Sequence, residues 1–479
     1  MEPDPHAFKA DSGATLRDPN LRANYRRATR GLRDKRREAF AGLEDVEGLR
    51  RIGHEIRAEA LARLPELLEQ LEAKLTARGV QVHWAETTDE ANRIVLRIGQ
   101  RRGVKLAIKG KSMVSEEMEL NGFLAEHGIE AVEADLGEFI VQLAGQTPVH
   151  IVVPAIHMNR YEIADLFHDK LGEPHTVDIE EMTALARRVL REQFRTAGMG
   201  ITGVNFAVAE TGTLALIENE GNGRMCTTVP PVHVALMGLE KVVPRLSDLP
   251  PLQRLLTRSA TGQAASTYFN WLTGPRRPGE KDGPEEVHLV LLDNGRSAMF
   301  ADGELRETLA CIRCGACINV CPVYERIGGH AYGSPYPGPI GKILTPQMAG
   351  LESAGHLAGA STLCGACAEV CPVKIPIPDL LLRLRQEAVQ PAVQPAAAGQ
   401  AMLRGAGGKR SLGEAMVWRG WRVLHQRPAA YRAMTRLAAL AGKRLPGNAG
   451  PLKAWMRHRA RPEPAPRTLH QLLRDRPGE

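Results

Sequence analysis

The feature that most constrains this chain is the placement of its cysteines, because seven of the eight lie between residues 311 and 371. The first run has the spacing C-x2-C-x2-C-x3-C followed by proline, and it consists of Cys311, Cys314, Cys317, Cys321 and Pro322. In two-cluster iron–sulfur proteins, three closely spaced thiolates of such a run hold one cubane, and the fourth ligates the neighbouring cluster. The spacing therefore predicts a small helical domain built around two iron–sulfur clusters.

The second run repeats the last three positions of this pattern as Cys364, Cys367 and Cys371, and Ser361 stands where its first cysteine would be. If the two runs exchange their last ligands, as in bacterial ferredoxins, two sets result. The first cluster is held by Cys311, Cys314, Cys317 and Cys371, and the second by Cys321, Cys364 and Cys367. The second cluster then lacks a fourth thiolate. It is either a [4Fe–4S] cluster with another ligand, such as Ser361, water or a partner's group, or a [3Fe–4S] cluster.

Two other uses of clustered cysteines fit less well. Structural zinc also uses C-x2-C pairs, but a zinc ion takes four ligands and gives no reason for the longer spacing. Disulfides are disfavoured in a reducing cytoplasm, and seven clustered cysteines cannot all pair with one another. The eighth cysteine, Cys226, lies far from the others along the chain and is interpreted as a buried structural residue.

The chain divides into an N-terminal helical arm at 1–76, an α/β domain at 77–295, a ferredoxin-type iron–sulfur domain at 296–381 and a basic helical segment at 382–479. The first twenty residues are expected to be frayed. Pro65 lies within a helical pattern of the arm and is expected to kink or split that helix.

The α/β domain alternates short apolar runs with helical segments, which indicates a mostly parallel sheet. Strands are expected at 80–84, 104–108, 129–134, 150–153, 205–209, 213–217 and 287–292. Helices are expected at 88–101, 114–127, 159–170 and 180–196. Residues 198–203 match G-x-G-x-x-G, but they follow a helix and precede a strand, the reverse of the order in dinucleotide-binding folds. They are interpreted as a helix stop and a turn.

The positive charge of the chain is concentrated in its tail. Residues 401–479 contain 17 Lys and Arg against 4 Asp and Glu, whereas the whole chain has a net charge of +7. Such a tail is typical of docking to an acidic partner, peripheral contact with an anionic membrane, or a solvated helical segment. Nucleic-acid binding is not expected, because no helix-turn-helix signature or basic–aromatic interleaving is visible. No run of about 18 apolar residues and no apolar leader occurs, so the expected location is the cytoplasm.

A candidate anion-binding turn consists of Lys109, Gly110, Lys111 and Ser112, between a predicted strand and a predicted helix. Such a turn aims backbone N–H groups and two cations at an anion. It is not a P-loop, because residue 105 is lysine where the motif requires glycine. The alternative is a plain strand-to-helix turn with Ser112 as N-cap, and the sequence leaves both open.

Several segments beyond the cysteine runs resemble the lactate utilization protein B family, which are iron–sulfur proteins with a LUD domain. These segments are 110–117, 135–143, 154–157, 209–214 and 332–341, and the likeness covers nearly the whole chain. The resemblance implies an α/β fold of the class of glucosamine-phosphate deaminase, ribose-phosphate isomerase and CoA-transferases. It also implies the same seven cluster cysteines, with the missing eighth thiolate as a trait of the family.

The resemblance further implies a function in the oxidation of L-lactate to pyruvate, with this chain as the electron-carrying member of a three-protein complex rather than an independent catalyst. The implied partners are a cysteine-rich iron–sulfur protein and a second LUD protein. A rival hypothesis is a stand-alone α/β enzyme that acts on an anionic or acyl-CoA metabolite and has accessory clusters. Glu210 followed by Gly212 weakly resembles the nucleophile segment of CoA-transferases.

Overall fold

The structure is a computed structural model that describes residues 3–389, 412–442 and 467–474, together with residues 456 and 465. The chain forms two compact units, residues 1–408 and residues 409–479. Among the described residues, no helix combines the length and the apolar character needed to cross a bilayer.

The N-terminal arm is helical throughout and packs on the rest of the first unit. Its helices are α1 (Pro5–Arg17), α2 (Pro19–Ala41), α3 (Val46–Ala62) and α4 (Leu64–Thr76). Pro65 lies in the first turn of α4, so the predicted split of the helix is confirmed. The expectation of a frayed start is wrong, because Asp4 caps α1 and Phe8 packs edge-on against Tyr332 of the iron–sulfur domain.

Ten strands within the described residues form two sheets. The strands are β1 (Gln81–Ala85), β2 (Leu106–Lys109), β3 (Glu130–Glu133), β4 (Met199–Gly203), β5 (Phe206–Val208), β6 (Thr213–Glu218), β7 (Val232–Gly238), β8 (Val242–Val243), β9 (Tyr268–Leu272) and β10 (Glu286–Leu292). The six-stranded sheet has the order β1-β10-β7-β4-β2-β3, and all its neighbouring strands are parallel. The second sheet has the order β8-β5-β6-β9 and is mixed. The predicted, mostly parallel α/β domain is thus confirmed.

The helices of this domain cover the parallel sheet. They are α5 (Thr88–Arg101), α6 (Met113–Glu117), α7 (Leu120–Glu126), α8 (Leu136–Leu143), α9 (Arg160–Leu171), α10 (Ile179–Thr196), α11 (Asn222–Cys226) and α12 (Leu249–Ala260). The apolar face of α5 packs on the sheet through residues such as Ile94 and Val95. The single helix expected at 114–127 is interrupted at Glu119, which adopts a left-handed φ of +51° and so divides it into α6 and α7.

The strand expected at 150–153 is absent, and these residues form bends instead. His150 is buried, and its Nδ1 accepts hydrogen bonds from the backbone N–H groups of Val152 and Val153 at 3.0 and 3.1 Å. Its Nε2 lies 3.1 Å from Asn319 Oδ1 in the iron–sulfur domain. The apolar pattern is therefore that of a buried connection between domains, whose amides are satisfied by a side chain.

The turn expected at 198–203 is also wrong, because Met199–Gly203 is the central strand β4. Its glycines make room for neighbouring backbone. A Cβ on Gly200 would lie 1.9 Å from the carbonyl oxygen of Cys226, and one on Gly203 would lie 3.1 Å from Ser112 Oγ. The glycines are needed here because neighbouring segments of the chain approach the strand closely, and not because the chain turns.

The iron–sulfur domain is helical. Its helices are α13 (Arg296–Ala301), α14 (Ala316–Asn319), α15 (Tyr324–Ile327), α16 (Gly338–Ala349), α17 (Leu351–Gly359), α18 (Ala366–Glu369) and α19 (Ile377–Val389). The second unit contains α20 (Leu412–His425), α21 (Pro428–Gly442) and α22 (Leu469–Arg474). Trp418 and Trp421 of α20 are both about half exposed and contact each other edge-on.

Candidate metal centres

The first cysteine run forms a tight loop that leads into α14. Arg313 and Gly315 adopt left-handed backbone conformations, with φ of +60° and +73°. A non-glycine residue is strained in this region, so the loop holds Arg313 there at a cost. In this conformation the backbone N–H of Arg313 donates to Cys311 Sγ at 3.4 Å. Hydrogen bonds to the sulfur ligands are one means by which a protein sets a cluster's potential.

The second run repeats this loop fifty residues later and leads into α18. Leu363 and Gly365 have φ of +53° and +84°. The backbone N–H of Leu363 donates to Ser361 Oγ at 3.2 Å, as that of Arg313 donates to Cys311 Sγ. Ser361 therefore has the local geometry of a cluster ligand, with oxygen in place of sulfur.

The first set of predicted ligands is brought together from both runs. The thiol of Cys317 interacts electrostatically with those of Cys311, Cys314 and Cys371. Burial raises the pKa of Cys314 to about 12 and that of Cys371 to about 11. Thiols with such pKa values are protonated near neutral pH, so a bound metal must displace the protons and supply the compensating charge.

The second set is also brought together. Cys367 interacts with Cys321 and Cys364, and these three line a recess of about 10 Å³ with Ser361. Burial raises the pKa of Cys367 to about 11. Cys364 is exposed, and the backbone N–H of Ala366 lowers its pKa.

The donor sets fit two clusters. Soft thiolates that arrive in closely spaced runs, with N–H groups directed at sulfur, are the donors that iron–sulfur clusters use. A cubane presents its irons at separate corners, so its ligands stand farther apart than those of one ion.

A buried lysine lies between the two sets. Lys342 of α16 is 1 % exposed, and its Nζ donates to Cys321 Sγ at 3.5 Å. It also interacts electrostatically with Cys367 of the second set and Cys317 of the first. Burial lowers the pKa of Lys342, and the negative charge on Cys321 opposes that shift.

The N-terminal arm supplies hydrogen bonds around Cys371. Arg50 donates through Nη2 to the carbonyl oxygens of Glu369 and Cys371, both at 2.8 Å. Arg36 donates to the carbonyl oxygen of Val370 at 2.9 Å. The arm thus fixes the backbone of the residue that closes the first set.

A cavity of about 420 Å³ lies beside the first set, at the carboxyl ends of β2, β4 and β7. Residues 110–112 after β2 line it, as do Glu240 and Lys241 after β7. The iron–sulfur domain contributes Arg313 and Tyr336 to the wall. Arg313 therefore touches the cavity with its side chain and Cys311 with its backbone.

An ionic network lies in the wall of this cavity. Glu240 accepts from Arg296 at 2.6 Å and from Arg313 at 3.1 Å. Arg296 also binds Glu117, and Tyr336 donates to the same carboxylate at 2.8 Å. Although burial opposes ionisation, the two guanidinium groups hold the pKa of Glu240 well below its usual range.

Known relatives match the chain from end to end. Lactate utilization protein B from Bacillus pumilus is 41% identical over 480 residues, covering 99% of this chain and 98% of that protein. The protein of that name from Bacillus subtilis is 41% identical over 472 residues, covering 98% and 96%. The chain belongs to the lactate utilization protein B family. The predicted family is thereby confirmed.

Within this lactate utilization protein B family member, three family matches divide the chain. They are a LUD domain at 68–292, a 4Fe-4S dicluster domain at 307–375 and "Lactate utilisation protein B, C-terminal" at 383–477. The "Uncharacterized electron transport protein YkgF" of Escherichia coli is 44% identical over 379 residues, covering 79% of this chain and 80% of that protein. A solved DUF162 family protein from Deinococcus radiodurans aligns with a TM-score of 0.28 at 13% identity, covering 48% of this chain and 98% of that chain, too low to carry an argument. The predicted iron–sulfur cofactors and LUD fold are confirmed.

The residues of the candidate anion-binding turn lie in two different environments. The ammonium of Lys109 is fully buried and contacts Glu116, Glu133 and Ser115 at 2.6–2.7 Å, so its charge is used inside the protein. Lys111 and its neighbours Gly110 and Ser112 line the cavity instead.

Within this turn, Lys111 Nζ donates to the carbonyl oxygen of Val152 at 2.6 Å. Ser112 caps α6 through its side chain. Anion binding at this turn stays a prediction, and Lys111 is the cation of the turn that faces the cavity.

Two other residues singled out from the sequence lie apart from the cysteine sets. Cys226 is fully buried beneath β4, and burial raises the pKa of its thiol. The carboxylate of Glu210 is exposed and accepts a hydrogen bond from the backbone N–H of Leu246. Neither residue lines the cavity.

Sequence reasoning missed the charged residues that surround the centres, namely Glu240, Lys241, Arg296, Arg313 and Lys342. A signal was present, since Lys342 interrupts an apolar stretch and Glu240 and Lys241 directly follow a buried strand. Charged residues are almost never fully buried unless they are paired. Such positions therefore mark a site, although the partner cannot be read from spacing alone.

Proposed function

We propose that this protein is the iron–sulfur electron-transfer subunit of a complex that oxidises L-lactate to pyruvate. The observation that carries the proposal is the adjacency of the two cysteine sets, with Lys342 hydrogen-bonded to Cys321 of the second set and interacting electrostatically with Cys317 of the first. Two redox centres in that arrangement form a route along which electrons pass singly. The names of the relatives, which refer to lactate utilization and to electron transport, support the same function.

In this proposal the first cluster is ligated by Cys311, Cys314, Cys317 and Cys371, and the second by Cys321, Cys364 and Cys367. The exchange of Cys321 and Cys371 between the runs is supported by their electrostatic neighbours. The second cluster is a [4Fe–4S] cluster in which Ser361 is the candidate for the fourth ligand, supported by its hydrogen bond from Leu363.

The proposed partners are a cysteine-rich iron–sulfur protein and a second LUD protein, and the proposed compartment is the cytoplasm. Thiolate ligation of clusters by seven cysteines suits a reducing compartment. Docking to those partners, or to an anionic membrane, would use the basic C-terminal unit. The exposed Trp418 and Trp421 on α20, beside Arg419 and Arg422, support a contact surface there.

The test begins with the full chain purified without oxygen. Iron and acid-labile sulfide are measured, and the reduced protein is examined by EPR alone and with its two proposed partners during titration with L-lactate. Reduction of a cluster by lactate in the reconstituted complex is the expected result. A colourless protein without labile sulfide would refute the cluster assignment, and intact clusters that lactate never reduces would refute the lactate assignment.

Cysteine variants test the exchange of ligands. Cys371→Ser should disturb the EPR signal of the first cluster, whose other ligands come from the first run, and leave the second cluster intact. Cys226→Ala removes a buried cysteine outside both sets and should leave iron and sulfide content unchanged. Loss of the second cluster in Cys371→Ser, with retention of the first, would contradict the exchange.

A further inference from the structure

The cavity beside the first cysteine set lies at a switch point of the parallel sheet. From β2 the chain continues to β3 on one side, whereas from β4 it continues, through β5 and β6, to β7 on the other side. The carboxyl ends of β2 and β4 therefore bound a crevice from which the connections diverge. Open α/β sheets bind ligands at that position, and the cavity of about 420 Å³ occupies it.

Two buried cations in the cavity wall have unused hydrogen-bonding capacity. Lys241 is 8 % exposed and lines the cavity, and none of the described residues forms a hydrogen bond or an ion pair with its ammonium. The side chain of Arg313 is 9 % exposed, and its Nη1 is buried without a hydrogen-bond partner in the described part of the chain. Burial lowers the pKa of Lys241 to about 8, a sign of how poorly solvated this charge is.

A buried charge without a partner is costly, because desolvation is not offset by hydrogen bonds. The charge of Glu240 offsets part of this cost, but its two carboxylate oxygens are hydrogen-bonded to Arg296 and Arg313 rather than to Lys241. A bound anion would supply an acceptor to Lys241, beside the guanidinium of Arg313, which also lines the cavity. A carboxylate suits this pair, because its two oxygens can be shared between an ammonium and a planar guanidinium.

The acids of the wall disfavour a second negative charge on the ligand at the end where they lie, although Lys111 also lines the cavity. Asp135, Glu218 and Glu220 also line the cavity. Burial and the neighbouring Asp135 raise the pKa of Glu220, which shows that negative charge is already crowded there. A second carboxylate on the ligand would be repelled at that end, whereas a hydroxyl group could donate to these acids.

We propose that this cavity is a binding site for a small 2-hydroxy or 2-oxo monocarboxylate, held through its carboxylate by Lys241 and Arg313. The inference rests on the proposed function and names the place on this chain where L-lactate or pyruvate binds. The cavity of about 420 Å³ is large enough for either molecule.

The site adjoins the first cluster through one residue. Arg313 lines the cavity with its side chain, and its backbone N–H donates to Cys311 Sγ at 3.4 Å. A ligand held by Arg313 is thus in contact with a group that is bonded to a cluster ligand. Occupation of the site should therefore alter the EPR spectrum of the first cluster more than that of the second.

The rival explanation is that Lys241 and Arg313 only balance the negative charge of the first cluster, since Lys241 also interacts with Cys311. That explanation predicts a changed cluster potential in Lys241 variants and no saturable binding of a carboxylate. Saturable carboxylate binding that weakens when Lys241 is replaced would favour the binding site over the rival explanation.

The experiment is isothermal titration calorimetry on the anaerobic, cluster-loaded full chain, with L-lactate, pyruvate and, as a non-carboxylate probe, sulfate. We expect one site for L-lactate or pyruvate, and an affinity about 10- to 100-fold weaker in Lys241→Met, the usual effect of losing one buried charged hydrogen bond. Lys241→Arg should retain most of the affinity. Lys105→Met removes an exposed ammonium of the α/β domain outside the cavity and should bind the carboxylate as the wild type does.

Iron and sulfide content is measured for each variant. If Lys241→Met loses its clusters, the affinity for the carboxylate is compared between Lys241→Gln and Lys241→Arg instead. Absence of saturable binding, equal affinity in the Lys241 variants, or sulfate binding as tight as that of the carboxylates would overturn the site and leave the electron-transfer proposal standing. Lysine-dependent binding without reduction of any cluster by lactate in the complex would support the site and overturn the proposed function.

Discussion

Replacement of Lys342 by methionine is the sharpest test of how this protein sets its redox potentials. The side chain is 1 % exposed, and its Nζ lies 3.5 Å from Cys321 Sγ. Methionine has a similar length, so it fills the same space in α16 without the charge. Because a reduced cluster carries one more negative charge than an oxidised one, loss of the nearby cation should lower the potential of the second cluster.

The size of the effect follows from the geometry. Two unit charges about 4 Å apart interact by about 4 kcal/mol at an effective dielectric constant of about 20. The added electron is shared over the whole cluster, which lies beyond the sulfur, so roughly half of this value is retained, about 2 kcal/mol. Since about 1.4 kcal/mol corresponds to about 59 mV for one electron, the expected decrease is on the order of 80 mV. The potential of the first cluster should shift less, because the hydrogen bond from Lys342 goes to the sulfur of Cys321, which is assigned to the second cluster.

The assay is an EPR-monitored redox titration of the anaerobic full chain. Lys342→Arg retains the charge and should stay near the wild-type potential, and Lys105→Met, which changes an exposed lysine of the α/β domain, should have no effect. Equal potentials in wild type and Lys342→Met, with full iron and sulfide content in both, would refute the electrostatic argument. A larger shift of the first cluster than of the second would refute the assignment of Cys321 to the second.

Three further changes have defined outcomes. Ser361→Cys should supply a fourth thiolate to the second cluster and so change the EPR spectrum of that cluster in reduced protein at unchanged iron and sulfide content, and an unchanged spectrum would count against the ligand position. Arg57→Met should lower the free energy of unfolding by about 3–5 kcal/mol in urea titrations, because four backbone carbonyls lose their donor, whereas the exposed Arg37→Met should change it by less than about 0.5 kcal/mol. Burial lowers the pKa of His233 to about 3, so only the unfolded chain takes up a proton below about pH 6.5 and stability should fall by up to about 1.4 kcal/mol per pH unit. His233→Gln should make the decline between pH 6.5 and 5.5 shallower, and an identical slope would contradict this.

The cysteine pattern and the α/β alternation could be predicted from sequence because both are local signals. Thiolate spacing is fixed by the cluster, and apolar runs separated by capped helices indicate parallel strands. The central strand β7 was missed for a related reason. It is buried along its full length and lacks alternation, so periodicity cannot distinguish it from a buried helix.

The misjudged segments depend on contacts distant in sequence. Residues 150–153 are apolar because they lie between domains, and the interaction of His150 with Asn319 could not be foreseen from spacing. The glycines of β4 were interpreted as a turn because glycine most often permits one, whereas here they admit the backbone at Cys226. The cavity was missed because its cations, Lys241 and Arg313, come from two domains.

The helical arm connects the wall of the cavity to the cysteine run that is predicted to hold the first cluster. Arg57 is fully buried and donates to the carbonyl oxygens of Val242 in the α/β domain and Ala310 in the iron–sulfur domain. Val242 directly follows Lys241, and Ala310 directly precedes Cys311. One guanidinium therefore ties Lys241 of the cavity and Cys311, the first of the predicted cluster ligands, to a common point, through backbone rather than through mobile side chains. Electron transfer weakens steeply with distance, so a fixed separation between cavity and cluster is what a route for electrons requires.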